Sequence, residues 1–93
     1  MRAQKRDANE PELVDTLEAL GCTVDRLPGG GGRPDLLVGF RGHTILIEVK
    51  VPGEELNRLQ KRFHADWKGA PIHVAFSVQQ IIEIVHHYRR RQA

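Results

Sequence analysis

Apolar positions along the chain follow two periods, one typical of helices and one typical of strands. Spacings of three and four residues predict helices over 10–20, 54–67 and 78–88, and short β-branched runs predict strands over 23–27, 36–40, 44–49 and 72–76. The last strand follows a helix, so we expect it to lie parallel to a neighbouring strand through a right-handed crossover. This order of elements predicts one α/β domain with a small mixed sheet flanked by helices.

The first helix carries a start signal and one acidic residue in an unusual place. Asn9 precedes the helix and Glu12 follows three residues later, which is the pattern of a capping box, and Ser77 is placed to cap the last helix. Glu10 lies three residues before Leu13 and therefore on the side of the apolar stripe, whereas Glu12 does not. An inward carboxylate either has a partner there or sits at the positive end of the helix dipole.

The two central strands form a predicted β-hairpin around the turn Arg41-Gly42. A two-residue loop sets Phe40 opposite His43, and the same register sets Asp35 opposite Glu48. Because side chains alternate along a strand, one face carries Asp35, Leu37, Thr44, Leu46, Glu48 and Lys50, and the other carries Leu36, Val38, Phe40, His43, Ile45, Ile47 and Val49. The second set is almost wholly apolar, so we expect that face to pack on the core.

The opposed carboxylates of Asp35 and Glu48 would repel one another. Either one of them takes a proton, or a cation lies between them. Lys50 supplies one positive charge on the same face, and two carboxylates beside a lysine suit a hard divalent ion such as Mg²⁺ or Mn²⁺. The simpler interpretation is that Asp35 caps the turn after Pro34 while Glu48 and Lys50 pair on a solvated face, as in a structural protein that binds no metal.

Charge is concentrated in clusters, although the net charge is only +2 and the isoelectric point is about 9.0. The basic clusters are Arg2, Lys5 and Arg6; Arg58, Lys61, Arg62 and Lys68; and Arg89, Arg90 and Arg91. Such clusters suit a phosphate backbone, and they also serve simply to keep a protein soluble.

Chain length and the content of cysteine and histidine indicate which kinds of domain and site to expect. Ninety-three residues predict a single domain over 1–93, with a disordered arm over 1–8. The single cysteine, Cys22, excludes an internal disulfide framework, and we expect an intracellular protein because no signal peptide or membrane-spanning apolar run is visible. The five histidines show no spacing typical of a zinc site.

Two further features have open interpretations. The glycine run Gly29–Gly32 is either a plain loop or a mobile flap that lets a DNA backbone approach closely. Gln60 lies in or beside the apolar stripe of the second helix, which consists of Leu56, Leu59, Phe63 and Trp67. A glutamine in that place needs hydrogen-bond partners, either in the backbone or in a neighbouring site.

The segment Pro34-Asp35, followed by Glu48-Val49-Lys50, resembles the signature of the PD-(D/E)xK nucleases. With Gly32, Pro52-Gly53, Leu59-Gln60 and Phe63-His64, the pattern is similar to the VRR-NUC group, the virus-type replication and repair nucleases. The resemblance implies a restriction-endonuclease-like αβββαβ(α) core. It also implies that Asp35, Glu48, the Val49 carbonyl and Glu10 bind Mg²⁺ or Mn²⁺, with Lys50 and Gln60 completing the catalytic set.

The same resemblance implies a function. We expect a DNA endonuclease that cuts branched DNA such as Holliday junctions, and members with this domain alone are typically small viral enzymes that act as homodimers. We expect DNA contacts from Arg33, Arg58, Lys61 and Arg62. The alternative is a non-catalytic DNA-binding module on the same fold.

Overall fold

The computed structural model describes residues 7–92. Its elements are α1 (Glu10–Ala19), β1 (Thr23–Arg26), β2 (Leu36–Phe40), β3 (His43–Val49), α2 (Arg58–Asp66), β4 (His73–Ala75) and α3 (Val78–Arg89). This is the predicted order, and it confirms the α/β class with a restriction-endonuclease-like core. Most of the predicted arm, residues 1–6, lies outside the described residues. No helix within 7–92 is long and apolar enough to cross a membrane.

The four strands form one mixed sheet in the order β1-β2-β3-β4. β2 lies antiparallel to both β1 and β3, and β4 lies parallel to β3, as the crossover predicts. The hairpin register is confirmed, because Phe40 pairs with His43 and Leu36 pairs with Ile47. Arg41 and Gly42 both have positive φ, 50° and 83°, so the turn has the twist that suits a two-residue hairpin loop.

The core lies between the apolar face of the hairpin and the pair of helices α1 and α3, which pack on one another. Its buried side chains are Leu13, Val14, Leu17, Cys22, Leu36, Val38, Phe40, Ile45, Ile47, Val49, Ala75, Ile81 and Val85. The predicted apolar hairpin face is therefore confirmed, apart from His43 at its edge, which is half-buried. The opposite face of the hairpin carries Glu48.

The second helix differs from the prediction in its start and in its packing. It begins at Arg58 instead of residue 54, because Asn57 caps it: the Asn57 side chain accepts from the Gln60 amide, and the Gln60 side chain accepts from the Asn57 amide. Its predicted apolar stripe is not a core stripe, since Leu59 is 56% exposed and Trp67 is 41% exposed. The helix faces polar site residues, so its apolar side remains open to solvent.

The predicted capping box at the first helix is wrong. Asn9 has a helical backbone and its side chain makes no capping bond, and Glu12 is exposed. The Asn9 amide instead donates to the Lys50 carbonyl at 3.1 Å and to the Phe76 carbonyl at 3.2 Å. These bonds tie the start of α1 to the ends of β3 and β4, and the chain just after β3 carries the candidate site.

Candidate metal centre and active site

Two carboxylates meet where the β2–β3 hairpin opens. Asp35 precedes β2 and is held by two bonds: its amide donates to the Ile47 carbonyl at 3.2 Å, and its Oδ2 accepts from the Val49 amide at 2.8 Å. Glu48, in β3, has a side chain only 1% exposed and hydrogen-bonded to that of Asp35. The predicted apposition of the two carboxylates is present in the structure.

Without a bound cation, protonation of Glu48 relieves the repulsion between the two carboxylates. Burial, the hydrogen bond to Asp35 and repulsion from Asp35 raise the pKa of Glu48 to about 9, against the opposing effect of Lys50. At neutral pH Glu48 therefore keeps its proton. A cation that binds here must displace this proton.

Lys50 and Asp7 lie at the edge of the pair. The Lys50 amide donates to the Ala75 carbonyl at 3.0 Å, which fixes the backbone as it leaves β3. Burial and the negative charge of Asp35 raise the pKa of Asp7, while Lys50 lowers it. Sequence reasoning missed Asp7 because it assigned that residue to the arm.

Helix α2 presents two polar side chains, one turn apart, to the carboxylate of Glu48. The Gln60 Nε2 donates to Glu48 Oε2 at 3.1 Å, while the Gln60 Oε1 is used by the cap. His64 Nε2 lies 3.8 Å from Glu48 Oε1, and both atoms are buried without a hydrogen-bond partner. The Gln60 side chain therefore bonds both to the backbone of the helix cap and to the carboxylate of Glu48. Sequence reasoning did not assign a site role to His64, because it considered only pairs of histidines as metal ligands. The spacing of four residues between Gln60 and His64 is the signal that would have found it.

Glu10 points inward, as its place on the stripe predicts. Its side chain is 2% exposed and forms an ion pair with Arg26 of β1 at 3.2 Å, whereas Glu12 is exposed. The role of Glu10 as a metal ligand stays a prediction.

The glycine run forms one wall of a cavity of about 190 Å³ beside Asp35 and Gln60. Gly32 approaches α2 so closely that a Cβ there would lie 2.2 Å from the Leu59 carbonyl oxygen. The expected DNA contacts are exposed around this cavity and along α2: Arg33, Arg58, Lys61 and Arg62. Arg62 forms a solvent-exposed ion pair with Asp66 at 3.8 Å, so its charge is only weakly compensated.

The donor set at the pair fits a hard divalent ion. Carboxylate oxygens supplemented by water are the ligands that Mg²⁺ uses in proteins, and the buried, unpartnered Oε1 of Glu48 offers one of them. In the described part of the chain no group of three or more His, Cys, Asp or Glu side chains is arranged to hold a metal, so the pair supplies only part of a coordination shell.

Comparison of the sequence with protein-family models identifies the family of the chain. The model of the archaeal Holliday junction resolvase family, Hjc, matches residues 1–63. The chain belongs to this resolvase family. Since the Hjc resolvases are nucleases of the PD-(D/E)xK type, the resemblance seen between Asp35 and Lys50 is confirmed at that level.

A phage protein whose name describes a nuclease is also similar to the chain. The chain is 37% identical over 68 residues to the protein named "Putative nuclease p44" from Acyrthosiphon pisum secondary endosymbiont phage 1. The match covers 70% of this chain and 73% of that protein. No solved structure gives a significant match.

Proposed function

We propose that this Hjc-family chain is a divalent-metal-dependent DNA endonuclease that hydrolyses phosphodiester bonds in branched DNA such as four-way junctions. The observation that carries the proposal is the apposition of Asp35 and the buried Glu48 beside Lys50. A carboxylate kept protonated in the interior costs stability unless a cation replaces the proton, and a phosphodiesterase uses such a cation. The finer similarity to the VRR-NUC group is part of the same proposal.

The residues that would hold Mg²⁺ or Mn²⁺ are Asp35, Glu48, the Val49 carbonyl and Glu10. The bound ion supplies an activated water and neutralises charge on the phosphate. The Val49 amide and the Gln60 side chain keep the two carboxylates in place.

Two polar side chains act beside the carboxylates. The Lys50 ammonium lies on their face and orients the attacking water or stabilises the charge that develops on the phosphate. Gln60, fixed by the cap at the start of α2, positions water or phosphate at the same place. Removing one such group typically lowers the rate by about 10²–10³-fold.

The surroundings of the site suit a DNA duplex with two arms of a junction nearby. Arg33 lines the glycine cavity and can neutralise a phosphate there. The other expected contacts are exposed along α2 and can do the same: Arg58, Lys61 and Arg62. The exposed apolar face of α2, with Leu59 and the stacked rings of Phe63 and Trp67, is what a second copy of the chain would cover. A twofold dimer presents two active sites with the symmetry of a four-way junction. Light scattering that shows a stable monomer at working concentration would contradict the dimer.

The test is cleavage of labelled linear duplex, flap and four-way junction DNA with Mg²⁺, Mn²⁺ or EDTA. We expect cutting of the junction that depends on the metal and falls by about 10²-fold or more in Lys50→Ala. Glu18→Ala, which removes an exposed charged side chain of α1, is the control and should retain near-normal cutting. Tight junction binding without cutting under any metal would favour the alternative, a non-catalytic DNA-binding module.

A further inference from the structure

Two buried polar atoms face each other in the site without a partner. Glu48 Oε1 and His64 Nε2 are 3.8 Å apart, and neither has a hydrogen bond. The Glu48 side chain is 1% exposed and that of His64 is 17% exposed, so solvent compensates neither atom well. Buried polar atoms are costly to leave unpaired, which indicates that a bound ligand completes this contact.

The separation of the two atoms favours an ion between them. A distance of 3.8 Å is too long for a direct hydrogen bond. Nitrogen and oxygen ligands bind divalent ions at about 2.0–2.2 Å, so two ligands of one ion lie within about 4 Å of each other. The neutral form of an imidazole can offer the lone pair of Nε2 to a cation.

The rest of α2 holds the imidazole in this place. Gln60, one turn earlier, donates to the other oxygen of the same carboxylate, so Oε1 is the oxygen turned toward His64. The cap at Asn57 and the close approach of Gly32 to Leu59 fix the start of the helix against the site. The two site-facing side chains therefore reach Glu48 from one rigid element.

We propose that His64 is a nitrogen ligand of the divalent ion that Glu48 binds. The inference rests on the proposed metal-dependent function and deepens it. An imidazole ligand strengthens binding of Mn²⁺ and Co²⁺ relative to Mg²⁺, because affinity of nitrogen ligands rises along the first-row transition metals. Loss of His64 should therefore weaken Mn²⁺ binding more than Mg²⁺ binding.

Pulsed electron paramagnetic resonance of Mn²⁺ bound to the full chain tests the ligand directly. The wild-type protein should show a nitrogen coupling that changes when histidine is labelled with ¹⁵N. The coupling should be lost in His64→Gln and kept in His86→Gln, a matched change of an exposed histidine on α3. Calorimetry should show at least about a tenfold loss of Mn²⁺ affinity in His64→Gln.

The outcomes separate this inference from the function on which it rests. Mn²⁺ bound by wild-type protein without nitrogen coupling, or with the same coupling in His64→Gln, would overturn the role of His64 and leave the carboxylate site standing. Absence of Mn²⁺ binding altogether would overturn the proposed function as well. Circular dichroism checks the fold of the variant, and a wild-type spectrum without histidine coupling would overturn the inference even if His64→Gln does not fold.

Discussion

Replacing Glu48 with glutamine should stabilise the metal-free protein at neutral and alkaline pH. The structure keeps this carboxyl protonated, because burial and Asp35 raise its pKa from 4.5 to about 9. Glutamine has nearly the shape of the protonated acid, and its oxygen can still accept from Gln60. The variant therefore keeps this contact and never has to be neutralised on folding.

The magnitude follows from the difference in proton binding. Between pH 4.5 and about pH 9 the folded chain keeps a proton that the unfolded chain releases, so the free energy of unfolding falls as pH rises. The slope from this group is about 1.4 kcal/mol per pH unit, and the accumulated cost at pH 7 is about 3 kcal/mol as an upper bound. Above about pH 9 both states are ionised at this group and the slope from it ends.

Urea unfolding in EDTA at pH 5, 7 and 8.5 measures this cost. The advantage of Glu48→Gln over wild type should be small at pH 5 and grow with pH, to at most about 3 kcal/mol at pH 7. Glu18→Gln changes an exposed glutamate of α1 and should follow wild type at each pH. Equal pH slopes in wild type and Glu48→Gln, or a variant less stable at pH 8.5, would refute the assignment of a buried, protonated Glu48.

Three further predictions concern the backbone contacts around the site and the proton that Glu48 holds. Gly32→Ala should lower the free energy of unfolding by at least about 2 kcal/mol, because φ is +79° and the new Cβ would meet the Leu59 carbonyl. Gly30→Ala, with φ +102° and open space around it, should cost less in the same urea titration, and equal costs would contradict the clash. Asn9→Ala should cost about 2 kcal/mol, because the carbonyls of Lys50 and Phe76 lose a donor; thermal unfolding measures this, and an unchanged melting temperature would contradict it. Mn²⁺ binding at pH 7 should release about one proton, seen by calorimetry in buffers of different ionisation enthalpy, and no release would contradict a protonated Glu48.

The sequence predicts the hairpin well because two strong constraints agree there. A two-residue loop at Arg41-Gly42 fixes the register, and alternation then decides which side chains share a face. The apposition of Asp35 and Glu48 followed from these local rules. Their proton, by contrast, depends on burial beneath α2, which no local pattern indicates.

Long-range contacts account for what sequence reasoning missed. Asn9 has the residue type of a cap, but its amide is used by carbonyls that lie 41 and 67 positions later in the chain. The apolar spacing of Leu59 and Trp67 is typical of a core face, yet no described element covers it. His64 contacts Glu48, which lies on a different element, so the spacing between histidines does not identify it. The one local signal is its spacing of four residues from Gln60.

Single-turnover cleavage of a labelled four-way junction with Mg²⁺ tests the central claim, that the carboxylate pair forms a metal-dependent nuclease site. We expect cutting by wild-type protein, none in EDTA, and a rate at least about 10²-fold lower in folded Asp35→Ala. Cutting by Asp35→Ala at the wild-type rate, or cutting that persists in EDTA, would contradict the account.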